Sequence, residues 1–177
     1  MPRPVRLAAL ALAATLVLPA LASAQSWRTL TTSRQLSGET SVDVEVTYGA
    51  GRFRVGAADQ GLLYDMRLRY DEEAFEPVAE FDGRRLRLGV EGAGRSVRLG
   101  KGRSEGEMEL SLARGVPMDL TLEFGAVRAN LDLGGLSLTD LELSTGASES
   151  TVDISEPNPE RMARASFEVG AADLTVR

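Results

Sequence analysis

One short text, Leu-x-Leu-x-x-Gly-Ala, recurs along this chain and restricts its fold more than any other feature. Leu120, Leu122, Gly125 and Ala126 spell one copy, and Leu141, Leu143, Gly146 and Ala147 a second. Ala165, Phe167, Gly170 and Ala171 form a third, and Val44, Val46, Gly49 and Ala50 stand far upstream as a fourth. Six places after each glycine an apolar residue returns, as Val55, Leu131, Val152 and Val176. Apolar residues two apart on both sides of the glycine give the period of a strand with one buried face. The glycine between them permits a bend or a close backbone approach that a Cβ would obstruct. Gly49, Gly125, Gly146 and Gly170 are therefore read as structural bends.

The last three glycines are 21 and 24 residues apart, a spacing that suits a solenoid or roll. Each unit is two short strands around a bend, and none can bury its apolar face without a neighbour stacked on it. The expected fold is all-β, with short strands piled into a β-roll resembling a right-handed single-stranded β-helix. The alternative is a β-sandwich whose hairpins look alike.

The first 24 residues read as a secretory signal peptide. Arg3 and Arg6 supply the positive start, Leu7 to Leu18 is an apolar run, Pro19 breaks it, and Ala22-Ser23-Ala24 is a small-residue cleavage site. An uncleaved anchor is the competing reading, but the run falls short of the roughly 20 residues that span a bilayer. No cysteine stands at the cleavage point, which excludes a lipoprotein anchor. The expectation is one domain over residues 25–177, exported to the periplasm or the cell exterior and soluble after cleavage. Losing the two leader arginines takes the net charge from −6 to about −8. So acidic a chain lacks the basic field that nucleic-acid binding requires. With no cysteine it has no disulfides, so packing and ladder hydrogen bonds must hold it together.

Between leader and repeat the chain alternates in the same way. Ser26 to Ser37 is polar, and its Trp27 caps one end of the core or marks a contact site. Val42 to Val46, Phe53 to Val55, Leu62 to Tyr70 and Glu107 to Leu112 all read as strands. Asp82-Gly83 predicts a two-residue type I′ turn, with Phe81 facing Arg84, Glu80 facing Arg85 and Ala79 facing Leu86. Gly89 to Gly106 reads as a basic, glycine-rich loop. Asp71-Glu72-Glu73 lacks the alternating acids and following glycine of a calcium loop and reads as a charged turn. Pro157, Asn158 and Pro159 mark an excursion between the last two copies.

Chemistry has few places to reside. Histidine and cysteine are absent, which removes the usual general base, thiol nucleophile and zinc ligands. Carboxylates alternate with apolar residues on outward positions, where their pKa values should be ordinary. No cofactor, metal or catalytic residue is assigned. A hydrolase or carbohydrate-active enzyme working through surface carboxylates is the alternative to a non-enzymatic binding or assembly module. Arg84, Arg85, Arg87, Arg95, Arg98, Lys101 and Arg103 form a basic stretch that could meet anionic envelope lipid or glycan. The competing view makes them solvent-facing strand positions balanced by Glu72, Glu73, Glu76 and Glu80. Val176 lies one residue from the last in the chain, so the final repeat leaves an open β edge for self-association or a protein partner. Alternatively the N-terminal polar segment or a short bulge protects that edge.

Ser41 to Val55, reading Ser-Val-Asp-Val-Glu-Val-Thr-Tyr-Gly-Ala-Gly-Arg-Phe-Arg-Val, resembles the start of the toast-rack family. Gly61-Leu62-Leu63-Tyr64 and the stretch from Tyr70-Asp71 to Phe75-Glu76-Pro77 resemble its continuation. Val116-Pro117-Met118-Asp119-Leu120 through Gly125-Ala126, and Leu133-Gly134-Gly135-Leu136-Ser137-Leu138-Thr139-Asp140-Leu141, extend the likeness across almost all of the chain beyond the leader. Toast-rack domains are similar to the C-terminal part of LiaF-type envelope-stress proteins and to adhesin-like domains. The resemblance implies a stacked all-β roll without catalytic residues, and a role in envelope sensing or assembly.

Overall fold

The structure is a computed structural model, and it describes residues 26–92 and 106–177. Eleven strands account for the regular structure of those residues, which contain no helix. They are β1 (Trp27–Gln35), β2 (Val42–Ala57), β3 (Leu62–Asp71), β4 (Phe75–Phe81), β5 (Arg85–Gly92) and β6 (Glu107–Leu112), then β7 (Met118–Asp132), β8 (Leu138–Thr145), β9 (Glu149–Asp153), β10 (Arg164–Val169) and β11 (Asp173–Val176).

The repeat folds as a stack of rungs. β2 and β7 each run as one long strand through the repeat glycine, Gly49 or Gly125, while in β8–β9 and β10–β11 the two arms are separate strands on either side of Gly146 and Gly170. Every rung pairs in parallel with the next: β2 with β7, β7 with β8 and β9, β8 with β10, and β9 with β11. Parallel ladders between consecutive units decide for the stacked roll, because the hairpins of a sandwich would pair antiparallel. The register lays equivalent residues in columns. Val46, Leu122, Leu143 and Phe167 form one, and Val55, Leu131, Val152 and Val176 another.

The opposite flank of β2 carries a different construction. β5 pairs in parallel with its first half and β6 with its second. Beyond them the ladders turn antiparallel, with β4 on β5, β3 on β6 and β1 on β3. β2 is thus both the first rung and the seam to an antiparallel cap. One apolar cluster runs through cap and rungs together. Tyr48 and Phe53, on the two arms of β2, place their ring centroids 5.6 Å apart, so both arms face a single interior.

The hairpin between β4 and β5 departs from the sequence expectation. Phe81 pairs with Leu86, Glu80 with Arg87 and Ala79 with Leu88, two residues away from the predicted register. Asp82 and Arg85 close the turn, the Asp82 amide donating to the Arg85 carbonyl at 3.1 Å and the Arg85 amide to Asp82 Oδ1 at 2.9 Å. Gly83 and Arg84 are its central residues, and only Gly83 has positive φ (90°). That is the sign pattern of type II′ instead of type I′. Arg84, placed in the turn, turns its carbonyl to the Asp43 amide of β2 at 2.9 Å, and Leu86 and Leu88 follow beside Val44 and Val46. The predicted loop also begins later than expected, because β5 continues through Gly92. The remainder of that loop lies outside the described residues.

The candidate interaction edge

β8 and β9 have neighbours on both sides, whereas β10 pairs only with β8 and β11 only with β9. Among the described residues, the outer edge of this last rung carries no partner strand. The column Val46, Leu122, Leu143, Phe167 shows the effect, with exposures of 0%, 0%, 0% and 38%. Val176 closes its own column at 51% exposed, above a fully buried Val152. These side chains lie on the inward side, as their spacing predicts, but nothing is stacked over them. Ile154, Phe167, Val169 and Val176 are the exposed large hydrophobic residues of the described chain, and all belong to this end.

The rung is nevertheless well placed. Asn158, in the proline-flanked excursion, accepts a hydrogen bond from the Leu138 amide and donates one to the Leu138 carbonyl, both at 2.8 Å. This two-way clasp returns the chain to β8, where the Ala163 amide donates to the Thr139 carbonyl at 2.8 Å. Past the bend, the Asp173 amide donates to the Ser148 carbonyl and the Arg177 amide to the Val152 carbonyl, each at 2.9 Å. The sequence marked the excursion but not the clasp, since an asparagine between two prolines reads only as a loop signal. The N-terminal polar segment does not shield this edge. It forms β1, which lies on β3 at the opposite border of the sheet.

The glycine bends lie in one column. Ala50 pairs with Ala126, and a Cβ on Gly125 would stand 2.5 Å from the Gly49 carbonyl oxygen. A Cβ on Gly170 would stand 3.0 Å from the Gly146 oxygen. Phe75 seals the first of these bends, its ring 2.8 Å from where a Gly49 Cβ would be. Beside the column runs an open groove of ≈ 360 Å³, lined in part by Tyr48, Phe75, Val90, Phe124 and Glu123.

The basic stretch divides. Arg84 grips Asp43 with Nε to Oδ2 at 2.9 Å and Nη2 to Oδ1 at 2.9 Å, and Arg87 meets Glu80 at 3.1 Å and Glu91 at 2.5 Å. Arg85 is exposed and pairs in the ladder with Asp43. Arg95, Arg98, Lys101 and Arg103 lie outside the described residues. In the charged turn, Glu72 accepts from Ser26 and bridges to Arg28, and the Asp71 carboxylate accepts from the Glu73 amide.

Electrostatics follow from these contacts. The Arg84 guanidinium holds the Asp43 carboxyl below the usual carboxylate range, and Arg114 does the same for Glu156. The Ser155 hydroxyl and the Gly134 amide lower Asp132. Burial pushes the Tyr48 phenol up, and its hydroxyl has no hydrogen-bond partner among the described residues.

Among solved structures the chain is similar to a candidate cell adhesion protein from Clostridium sporogenes, with a TM-score of 0.67 at 13% identity, covering 85% of this chain and 99% of that one. A candidate adhesin from Bacteroides fragilis aligns over 86% of this chain and 99% of its own at 9% identity, but with a TM-score of 0.29. A candidate lipid binding protein from Parabacteroides distasonis aligns over 84% of this chain and 73% of its own at 11% identity, again with a TM-score of 0.29. Only the first superposition is close enough to bear on the fold, and it shows the same fold. No curated protein matches the chain. The model of the family described as the N-terminal domain of toast_rack matches residues 23–177, and the chain belongs to this toast-rack family.

Proposed function

We propose that this chain is an exported, non-enzymatic module of the bacterial cell envelope that acts by binding or assembly through the β10–β11 edge. The observation that carries the reading is the uncovered rung itself: a regular pair of strands with its apolar face and outer backbone edge left open. Sheet edges bind extended partners through main-chain hydrogen bonds and select them through alternate side-chain positions. The leader-like start, the family and the adhesion-related name of the Clostridium sporogenes structure are consistent with work outside the cytoplasm.

A hydrolase working through carboxylates needs one held above its usual range to donate a proton. The carboxylates whose shift is resolved here, Glu39, Asp43, Glu72, Asp132 and Glu156, all move down. They serve arginines, hydroxyls and backbone amides, which supports the binding reading over the enzymatic one. The test is a photo-crosslinking amino acid at Phe167 in the living cell, with the same probe at outward-facing Glu142 as the comparison. Adducts confined to the Phe167 position support edge binding. Adducts at neither position, or equally at both, refute it.

A further inference from the structure

The borders of this sheet are not treated alike. β4 carries Pro77, and the pairing of β1 with β3 shifts register between Arg34 and Gln35. Proline and local irregularity both blunt a strand edge against further pairing. β10 and β11 contain no proline, and their registers with β8 and β9 run without a break. An edge left regular, with its inward positions apolar, while the others are blunted, is suited to being paired.

We propose that a second copy of this chain occupies it, two terminal rungs meeting about a two-fold axis with β10 of one copy antiparallel to β11 of the other. This rests on the edge-binding reading above and specifies the partner. β10 runs toward the bend at Gly170 and β11 runs away from it. A two-fold axis through the bend exchanges the two arms, so each β10 meets a β11 of opposite direction without any rearrangement. The side-chain pattern is then its own complement. Val169 falls opposite Leu174 of the second copy, Phe167 opposite Val176, Glu168 opposite Thr175 and Ser166 opposite Arg177. Inward residues meet inward residues throughout, whereas a slip of one residue would set apolar against polar at every pair.

Charge agrees with this arrangement. The outward residues of the rung are Arg164, Glu168, Asp173 and Arg177, two of each sign, while the whole chain carries −6. Two acidic molecules would meet through their neutral ends. Glu168 would lie diagonal to Arg177 of the second copy, within reach of a long side chain. Because both arms of a rung enclose one interior, the exchange keeps the apolar faces inside and continues the core across a self-complementary interface.

The full chain lacks cysteine, so introduced thiols report cleanly. It is to be expressed with its leader, purified as exported, and followed by sedimentation velocity from about 1 to about 100 μM. A monomer–dimer equilibrium that stops at two is expected. Val169→Cys and Leu174→Cys variants, mixed and mildly oxidised, should give a mixed covalent dimer as the dominant product. Either variant alone should give less than roughly a tenth of that, because like positions are apart in the antiparallel pairing. Phe167→Asp, which changes an exposed side chain, should abolish the dimer and leave the far-ultraviolet dichroism unchanged.

Three results overturn the proposal: a monomer at every concentration, assemblies that grow past two, or single variants that cross-link as readily as the mixture. A monomer whose Phe167 probe still captures a different envelope protein overturns the second copy but leaves edge binding intact. A monomer with no Phe167 adduct at all removes both.

Discussion

Gly125 and Gly146 hold the same place in successive rungs but meet different surroundings. A methyl at Gly125 would press on the Gly49 carbonyl oxygen at 2.5 Å, while at Gly146 the nearest atom is 3.7 Å away. Gly125→Ala should therefore cost roughly 2 kcal/mol and Gly146→Ala no more than about 0.5 kcal/mol. Urea midpoints measure both, and equal losses would refute the steric account. Tyr48 makes a second point at this scale. Its buried hydroxyl has no partner among the described residues, so Tyr48→Phe should be neutral or stabilise by up to about 1 kcal/mol. The raised phenol favours the protonated folded state, and the stability it contributes is present below the unfolded pKa and lost as pH climbs above about 10. Tyr48→Phe should flatten that alkaline decline in denaturation profiles taken at rising pH. An unchanged decline would show that other groups cause it.

Along an element, burial depends on what lies above as much as on the residue. Leu122 and Phe167 share a column, yet one is enclosed and the other is 38% exposed. Leu122→Ala should cost between about 2 and 5 kcal/mol. In dilute protein, where no second copy covers the edge, Phe167→Ala should cost less than about 1 kcal/mol. Similar losses at the two sites would mean that Phe167 is covered even there. The rungs were legible in the sequence because alternation around a glycine encodes both arms and the bend at once. The four bends could be aligned by eye, although 76 residues separate the first from the second. The β4–β5 register was not legible. A slip of two residues leaves every side chain on its own face, so alternation cannot distinguish Ala79 facing Leu86 from Ala79 facing Leu88. The observed turn is closed by Asp82 and Arg85 while the Arg84 carbonyl meets the Asp43 amide of β2, and a local reading contains no trace of that long-range contact. The same limit hid the clasp of Asn158 on Leu138 and the placement of Phe75 over Gly49.

For the molecule as a whole, the outer face is a mosaic of short ion pairs around one apolar interior. Carboxylates such as Asp43, Asp132 and Glu156 have folded pKa values below their unfolded ones, so the stability they add is present above the unfolded values and lost as pH falls through the folded ones. Thermal unfolding should hold steady from neutrality to about pH 5 and decline below about pH 4. A decline already complete at pH 6 would contradict these shifts. Among the described strands β2 alone pairs with both cap and rungs, each later rung pairs with the one before it, and Arg114 adds a side contact to Glu156, so the height of the stack is set by the number of rungs in series. Inserting or removing one whole unit between β7 and β10 would move the terminal edge by about 4.8 Å and leave the cap and the edge chemistry unaltered. The architecture thus behaves as a ruler, able to set how far a contact stands from its base in steps of a single turn.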